Sequence, residues 1–139
     1  MKACVPTIGT YLRLTENWIF PLHQEYRNQD LVRSLGLKVT YGRYVSGNWI
    51  QPDPEMICLK AGTLLSVTRI YIRGSFRDYD SFTFRLLESP DPVFAAGKAT
   101  NNQWGTTVVK GVKFWAKLAD VNHMEFEFED GPPKKTRKV

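Results

Sequence analysis

The chain has 139 residues, of which 42% are hydrophobic and 24% charged, and its net charge is +5. This length and composition are typical of one globular domain with a real core, and they exclude a wholly disordered or fibrous chain. Four cations lie in the last six residues: Lys134, Lys135, Arg137 and Lys138. Without them 15 basic and 14 acidic residues remain, so any nucleic-acid binding by the folded part would depend on local patches. We predict one β-rich domain over 1–129 and a disordered basic tail over 130–139.

Cysteine content and hydropathy indicate the cellular compartment in which the protein works. The two cysteines, Cys4 and Cys58, form no disulfide framework, which predicts free thiols in a reducing cytoplasm. The N-terminal residues contain no apolar stretch typical of a secretory signal, so none is expected. No segment approaches the ~20 apolar residues of a membrane span, so no membrane partner is expected either.

The predicted elements, in chain order, are mostly strands. One short helix is predicted over 28–35, because Leu31 and Val32 lie on one stripe, Asn28 is a candidate N-cap and Gly36 is a candidate C-terminal stop. Strands are predicted in TYLRL, LKVTYGRYV, MICLK, GTLLSVTRIYIRG, FTFRLL, VVKGVKFWAKL and HMEFEFE. Loops are predicted in SGNWIQPDPE and over 88–107, a turn at ADVN, and a bulge at Gly111. The pattern predicts a mainly β (α+β) fold, either a small bent sheet or a β-barrel, with about six or seven short strands and one short helix.

Alternation along the predicted strands produces two basic–aromatic–basic stripes. Phe114 and Ala116 would share the core face of one strand, which leaves Lys113, Trp115 and Lys117 on its other face. By the same alternation, Ile70 and Ile72 would face the core and Arg69, Tyr71 and Arg73 the other side. In FTFRLL, Phe82 and Phe84 would face the core and Arg85 would point outward. Cations contact phosphates and exposed rings stack on bases, so such stripes are typical of nucleic-acid grooves. The candidate binding residues are Arg69, Tyr71, Arg73, Arg85, Trp104, Lys113, Trp115 and Lys117. The plainer alternative is that the aliphatic stems of Arg and Lys simply cover an exposed ring.

The last strand carries the opposite charge. Glu125, Glu127 and Glu129 would share one face, while Met124, Phe126 and Phe128 point inward. The short ADVN link predicts that this strand lies beside the strand of Lys113 and Lys117. Its carboxylates would then pair with the two lysines and weaken the nucleic-acid hypothesis.

The sequence carries little that indicates catalysis. The LHQE segment with His23 matches half of a zinc-deaminase signature, but the Pro-Cys-x-x-Cys half is missing. Asp78 and Asp80 could hold a hard cation, and with His23 or His123 they define a third interpretation, a metal-dependent enzyme. We expect no catalytic residue, no metal site and no cofactor.

Two resemblances add context. The segments GTLLSVTRIYIRG, DYDSFTFRLL and KFWAKLADVN resemble small uncharacterised phage and prophage accessory proteins. That resemblance implies a compact protein, made in a bacterial cytoplasm, that modulates a host or defence nucleoprotein by binding. The tail PPKKTRKV resembles the nuclear localisation signal of polyomavirus large T antigen, which implies nuclear import; a solubilising or electrostatic tail is the alternative.

These observations favour a non-enzymatic module that recognises a nucleic acid or a nucleoprotein complex. The alternative is a protein–protein inhibitor or assembly module, in which Trp49, Phe94 and Trp104 would form the contact surface. On the first hypothesis, Trp115→Ala should weaken binding with little effect on folding.

Overall fold

A computed structural model of the chain describes residues 7–71, 80–95 and 105–129. The strands in these ranges are β1 (Tyr11–Leu14), β2 (Trp18–Leu22), β3 (Arg43–Val45), β4 (Asn48–Ile50), β5 (Glu55–Leu59), β6 (Leu64–Tyr71), β7 (Ser81–Ser89), β8 (Thr107–Lys117) and β9 (Phe126–Glu129). The short helices are α1 (Gln29–Ser34), α2 (Pro92–Ala95) and α3 (Leu118–Val121), and a 3-10 turn, Tyr26–Asn28, leads into α1.

Five strands form an antiparallel sheet in the order β8-β7-β6-β1-β9. The long strands of this sheet alternate apolar and polar residues, as expected when only one face packs on a core. Phe82 and Phe84 of β7 and Phe114 of β8 are buried on that inner face. The opposite face of the sheet is called the outer face below.

A second layer covers the inner face. Strands β2 and β5 form a two-stranded sheet, and Trp18 and Phe20 of β2 stack with ring centroids 3.9 Å apart. The Trp18 ring meets Phe84 edge-on at 5.8 Å, and Phe20 stacks on Phe114 at 5.7 Å. Burial of such rings is the largest source of stabilisation in a core of this size.

Helix α1 adds Leu31 and Val32 to the same core. It ends where Gly36 takes φ +75°, a left-handed conformation that costs glycine little. The predicted helix over 28–35 is therefore confirmed within one residue at each end.

The prediction of a mainly β fold built from a small sheet is confirmed, and the sheets are open, so the barrel alternative is wrong. The predicted loop SGNWIQPDPE contains β4, which pairs with β3 in a hairpin. Ser46 and Gly47 both have positive φ, the geometry of a tight two-residue hairpin turn. The predicted ADVN turn is helix α3.

The predicted irregularity at Gly111 is confirmed. Gly111 has φ +72°, and the β7–β8 register shifts between Leu86 and Glu88, which pair with Val112 and Val108. The β6–β7 register also shifts, between Leu64 and Leu65, so that Glu88 stands opposite Leu64. Leu64 is opposite Arg13 of β1, and the Arg13 and Glu88 side chains bond.

Candidate functional site

Three neighbouring rows on the outer face of β6, β7 and β8 bring most of the predicted site residues together; they are called the basic rows. Each row is a set of residues directly opposite one another across the three strands. The rows are Ser66–Arg85–Lys113, Arg69–Thr83–Trp115 and Tyr71–Ser81–Lys117. These nine residues include four cations and no carboxylate. Strand alternation therefore predicted correctly that Arg69, Arg85 and Lys113 share one face.

Some predicted residues fall outside the part of the chain that the structure describes. They are Arg73, Trp104 and the tail residues Lys134, Lys135, Arg137 and Lys138. Their assignments stay predictions.

Arg85 and Lys113 form a like-charge pair at the centre of the basic rows. They lie directly opposite each other on β7 and β8, and both side chains are exposed. Neither forms an ion pair with another described residue. Cβ atoms in such a pair are about 5 Å apart, and like charges in that position repel. The next row adds Arg69, whose guanidinium donates to the Tyr71 hydroxyl at 2.8 Å.

Trp115 lies on the predicted face but is not open to a ligand. Only 3% of its surface is exposed. The His23 ring lies parallel to the indole with centroids 4.9 Å apart, and the Arg27 guanidinium lies 5.4 Å from the indole centroid. The prediction of an exposed stacking ring at Trp115 is therefore wrong, because the segment before α1 folds over the outer face at strand β8.

Asn28 attaches that segment to the edge of the sheet, a role that sequence analysis missed. Its side-chain amide accepts a hydrogen bond from the Trp115 N–H at 2.8 Å and donates to the Trp115 carbonyl at 3.4 Å. The amide thus forms the hydrogen bonds that a neighbouring strand would otherwise form with the backbone of this edge strand. Asn28 was predicted as an N-cap, and it occupies that position without a side-chain capping bond.

The segment that covers Trp115 carries its own charges. Arg27 pairs with Glu25, donating from Nη2 to Oε2 at 2.7 Å. Burial would raise the pKa of Glu25, but the hydrogen bonds and charge of Arg27 outweigh burial, so this pKa is lowered. Burial lowers the pKa of His23, and the charge of Lys117 lowers it further, against the carboxylates of Asp120 and Glu25. His23 is thereby favoured in its neutral form, in which it stacks on Trp115.

The glutamate strand does not face the lysines. Strand β9 pairs with β1 at the far edge of the sheet from β8, so the predicted pairing of its glutamates with Lys113 and Lys117 is wrong. The reason is α3, which starts directly after β8 and carries the chain away from that strand. Phe128 was predicted to face inward, but it is exposed.

Two carboxylates of the outer face, Glu88 and Glu129, are bound by one buried arginine. Arg13 donates to Glu88 at 2.8 Å and to Glu129 at 2.9 Å, and Thr106 donates to the same Glu88 oxygen at 2.8 Å. Arg13 and Glu88 are each only 5% exposed. This group is called the Arg13 cluster.

The β3–β4 hairpin carries two exposed aromatic side chains that contact each other. Tyr44 is 74% exposed and Trp49 is 52% exposed, and they face each other across the two strands. Their rings meet edge-on with centroids 5.0 Å apart. Sequence analysis used Trp49 only for the protein–protein alternative.

The described residues of the enzyme interpretation lie in three different segments of the chain. His23 stacks on Trp115, His123 lies in the turn after α3, and Asp80 precedes β7; Asp78 lies outside the described residues. Within the described ranges, no three His, Cys, Asp or Glu side chains are grouped so as to hold a metal ion. In the same ranges no helix has the length and apolar character needed to cross a membrane.

Comparison with protein-family models, with curated proteins and with solved structures finds no match to this chain.

Proposed function

We propose that this protein is a non-enzymatic module that binds nucleic acid through the basic rows. The observation that carries the proposal is the exposed Arg85–Lys113 pair: the two cations lie opposite each other, and neither forms an ion pair within the described ranges. Such a pair costs stability in the free protein, and a phosphate between the two cations would remove the repulsion. Arg69 in the next row extends the cationic surface along the sheet.

Another cation lies beside the basic rows. Arg27 is exposed and packs with His23 against Trp115 on the outer face. The phage-like segments favour a host or defence nucleoprotein as the natural source of the nucleic acid. The basic tail would add an attraction that does not depend on sequence.

The test is a titration of labelled single-stranded and duplex DNA and RNA with full-length protein across a salt series. A variant with Lys134, Lys135, Arg137 and Lys138 all changed to Gln removes the tail charge from the measurement. In that background, Arg85→Gln with Lys113→Gln should weaken binding and reduce the magnitude of the salt slope by about 1.5, as expected for two lost phosphate contacts.

The matched control is Lys60→Glu, which lowers the net charge by the same amount at the exposed turn between β5 and β6. It should leave the salt slope nearly unchanged. Equal losses in the control and in the double variant would show an effect of net charge alone and would overturn the proposal, as would no binding by the tail-neutral protein.

A second candidate function is protein binding, and the outer side of the β2–β5 sheet favours it. Ile19 and Met56 are both exposed there, next to Pro21 and Cys58. Apolar residues gathered on one solvent-facing surface are typical of a protein contact. Association with a protein that does not change with salt and is lost in Ile19→Asp would favour this function.

A further inference from the structure

Trp49 is held in one orientation although half of it is exposed. Its indole N–H donates to the Gln51 side chain at 2.9 Å, and its ring meets Tyr44 edge-on. One part of the ring lies so close to the backbone at Gly42 that a Cβ there would overlap it. The ring is thus fixed before any ligand arrives, which lowers the entropic cost of binding a flat partner against it.

The chain segment that holds the hairpin carries cations, and carboxylates occur only outside it, up to Asp30 and from Asp53 onward. Between Leu31 and Pro52 the chain carries Arg33, Lys38 and Arg43 and no carboxylate. Aromatic rings interleaved with cations match the bases and phosphates of a nucleic-acid strand. An acidic protein surface would pair only with the cations, and a purely apolar one would pack only against the rings.

The hairpin is anchored next to the segment that covers the basic rows. Gln24 is buried, and its side chain donates to the Lys38 carbonyl at 3.3 Å and accepts from the Thr40 N–H at 3.3 Å. Its own carbonyl accepts from the Gln51 side chain at 3.4 Å. The preceding residue, His23, stacks on Trp115 in the basic rows.

We propose that the β3–β4 hairpin is a base-stacking arm, and that the nucleic acid is single-stranded. The proposal rests on the proposed function: phosphates contact the basic rows while an unpaired base stacks on Trp49. A duplex keeps its bases stacked on one another, so it offers no free base face to the indole. The arm therefore selects single strands over duplexes, and the basic rows supply the salt-dependent part of the affinity.

The experiment compares an oligo(dT) or oligo(U) strand of about 20 nucleotides with a duplex of the same length, using the full-length tail-neutral protein. Trp49→Ala should weaken single-strand binding about 10-fold and leave the salt slope unchanged, because the indole neutralises no phosphate. Trp49→Phe should recover part of the loss. Gly42→Ala keeps the indole but displaces it, and should weaken single-strand binding while duplex binding stays constant.

The outcomes separate this proposal from the proposed function. If Arg85→Gln with Lys113→Gln lowers the salt slope but Trp49→Ala leaves the affinity unchanged, the basic rows stand and the arm is overturned, and a protein becomes the next occupant to test. Equal affinity for single strand and duplex also overturns the arm. If the tail-neutral protein binds neither probe, both proposals fail. Unfolding curves of each variant show whether a loss reflects the arm or the fold.

Discussion

The outer face of the main sheet has two regions that treat charge in opposite ways. Around Arg13 of β1 the charges are largely buried and bonded to one another, because Arg13 binds Glu88 of β7 and Glu129 of β9. At the β7–β8 side, Arg85 and Lys113 are exposed and face each other. One region satisfies its charges within the fold, whereas the other leaves cations directed at solvent.

This difference distinguishes charged side chains that stabilise the fold from charged side chains that a ligand can contact. Removing one partner from a buried group of arginine and carboxylates lowers the free energy of unfolding, because the remaining charge stays buried and unpaired. The Arg13 cluster is therefore needed for stability. Exposed cations contribute little to stability and repel each other, so the basic rows are suited to an external anion. Substitutions at Arg13, Trp115, Lys113 and His23 test this contrast.

Arg13→Met should destabilise the protein by about 3–5 kcal/mol, because it leaves the Glu88 carboxylate buried without its cation. Urea unfolding of the variant and the wild type measures the loss. Adding Glu88→Leu should recover much of it, since an apolar pair replaces the buried charges. A loss below about 1 kcal/mol would show that the Arg13 cluster is not structural.

Trp115→Ala should destabilise the protein by about 3 kcal/mol, because the ring packs against His23 and Arg27. This replaces the sequence-based expectation of weaker binding with little effect on folding. Trp115→Phe, which keeps an aromatic ring, should cost less in the same unfolding measurement. Normal stability with weakened nucleic-acid binding in Trp115→Ala would return this residue to the ligand-contacting set.

Lys113→Gln should stabilise the protein by about 0.2–1 kcal/mol, because it removes the repulsion across from Arg85. The gain should shrink at high salt, where exposed charges are screened. Melting temperatures at low and high salt test this, with Lys60→Gln as a control away from the pair. Destabilisation in Lys113→Gln would mean that the lysine has a structural role.

The smallest effect concerns pH. The pKa of His23 is lowered by burial, so between the folded and unfolded values the unfolded chain binds more protons. The stability from neutral His23 is fully present above about pH 6.5 and is lost as the pH falls through the folded-state pKa. Unfolding free energies between about pH 5 and 8 should therefore depend less on pH in His23→Phe, which keeps the ring. Equal pH dependence in both proteins would contradict the stacked neutral imidazole.

Local patterns were enough to predict much of the strand and helix content. Alternation identified the core face of β7 and β8 and placed Arg69, Arg85 and Lys113 on the other face, because side-chain direction along a strand is a local property. The turn at Gly36 and the bulge at Gly111 could be predicted for the same reason, since each depends on the freedom of one glycine.

Local patterns therefore set the mainly β character and which residues share a strand face. What lies next to those faces depends on contacts between distant parts of the chain. Strand β9 pairs with β1 and not with β8. Asn28 bonds to the Trp115 backbone, and His23 covers the Trp115 ring. Arg13 binds Glu88, which lies 75 positions away in the chain. These contacts form when the whole core packs, because each strand pairing must be compatible with all the others. The periodicity of a single segment does not predict them.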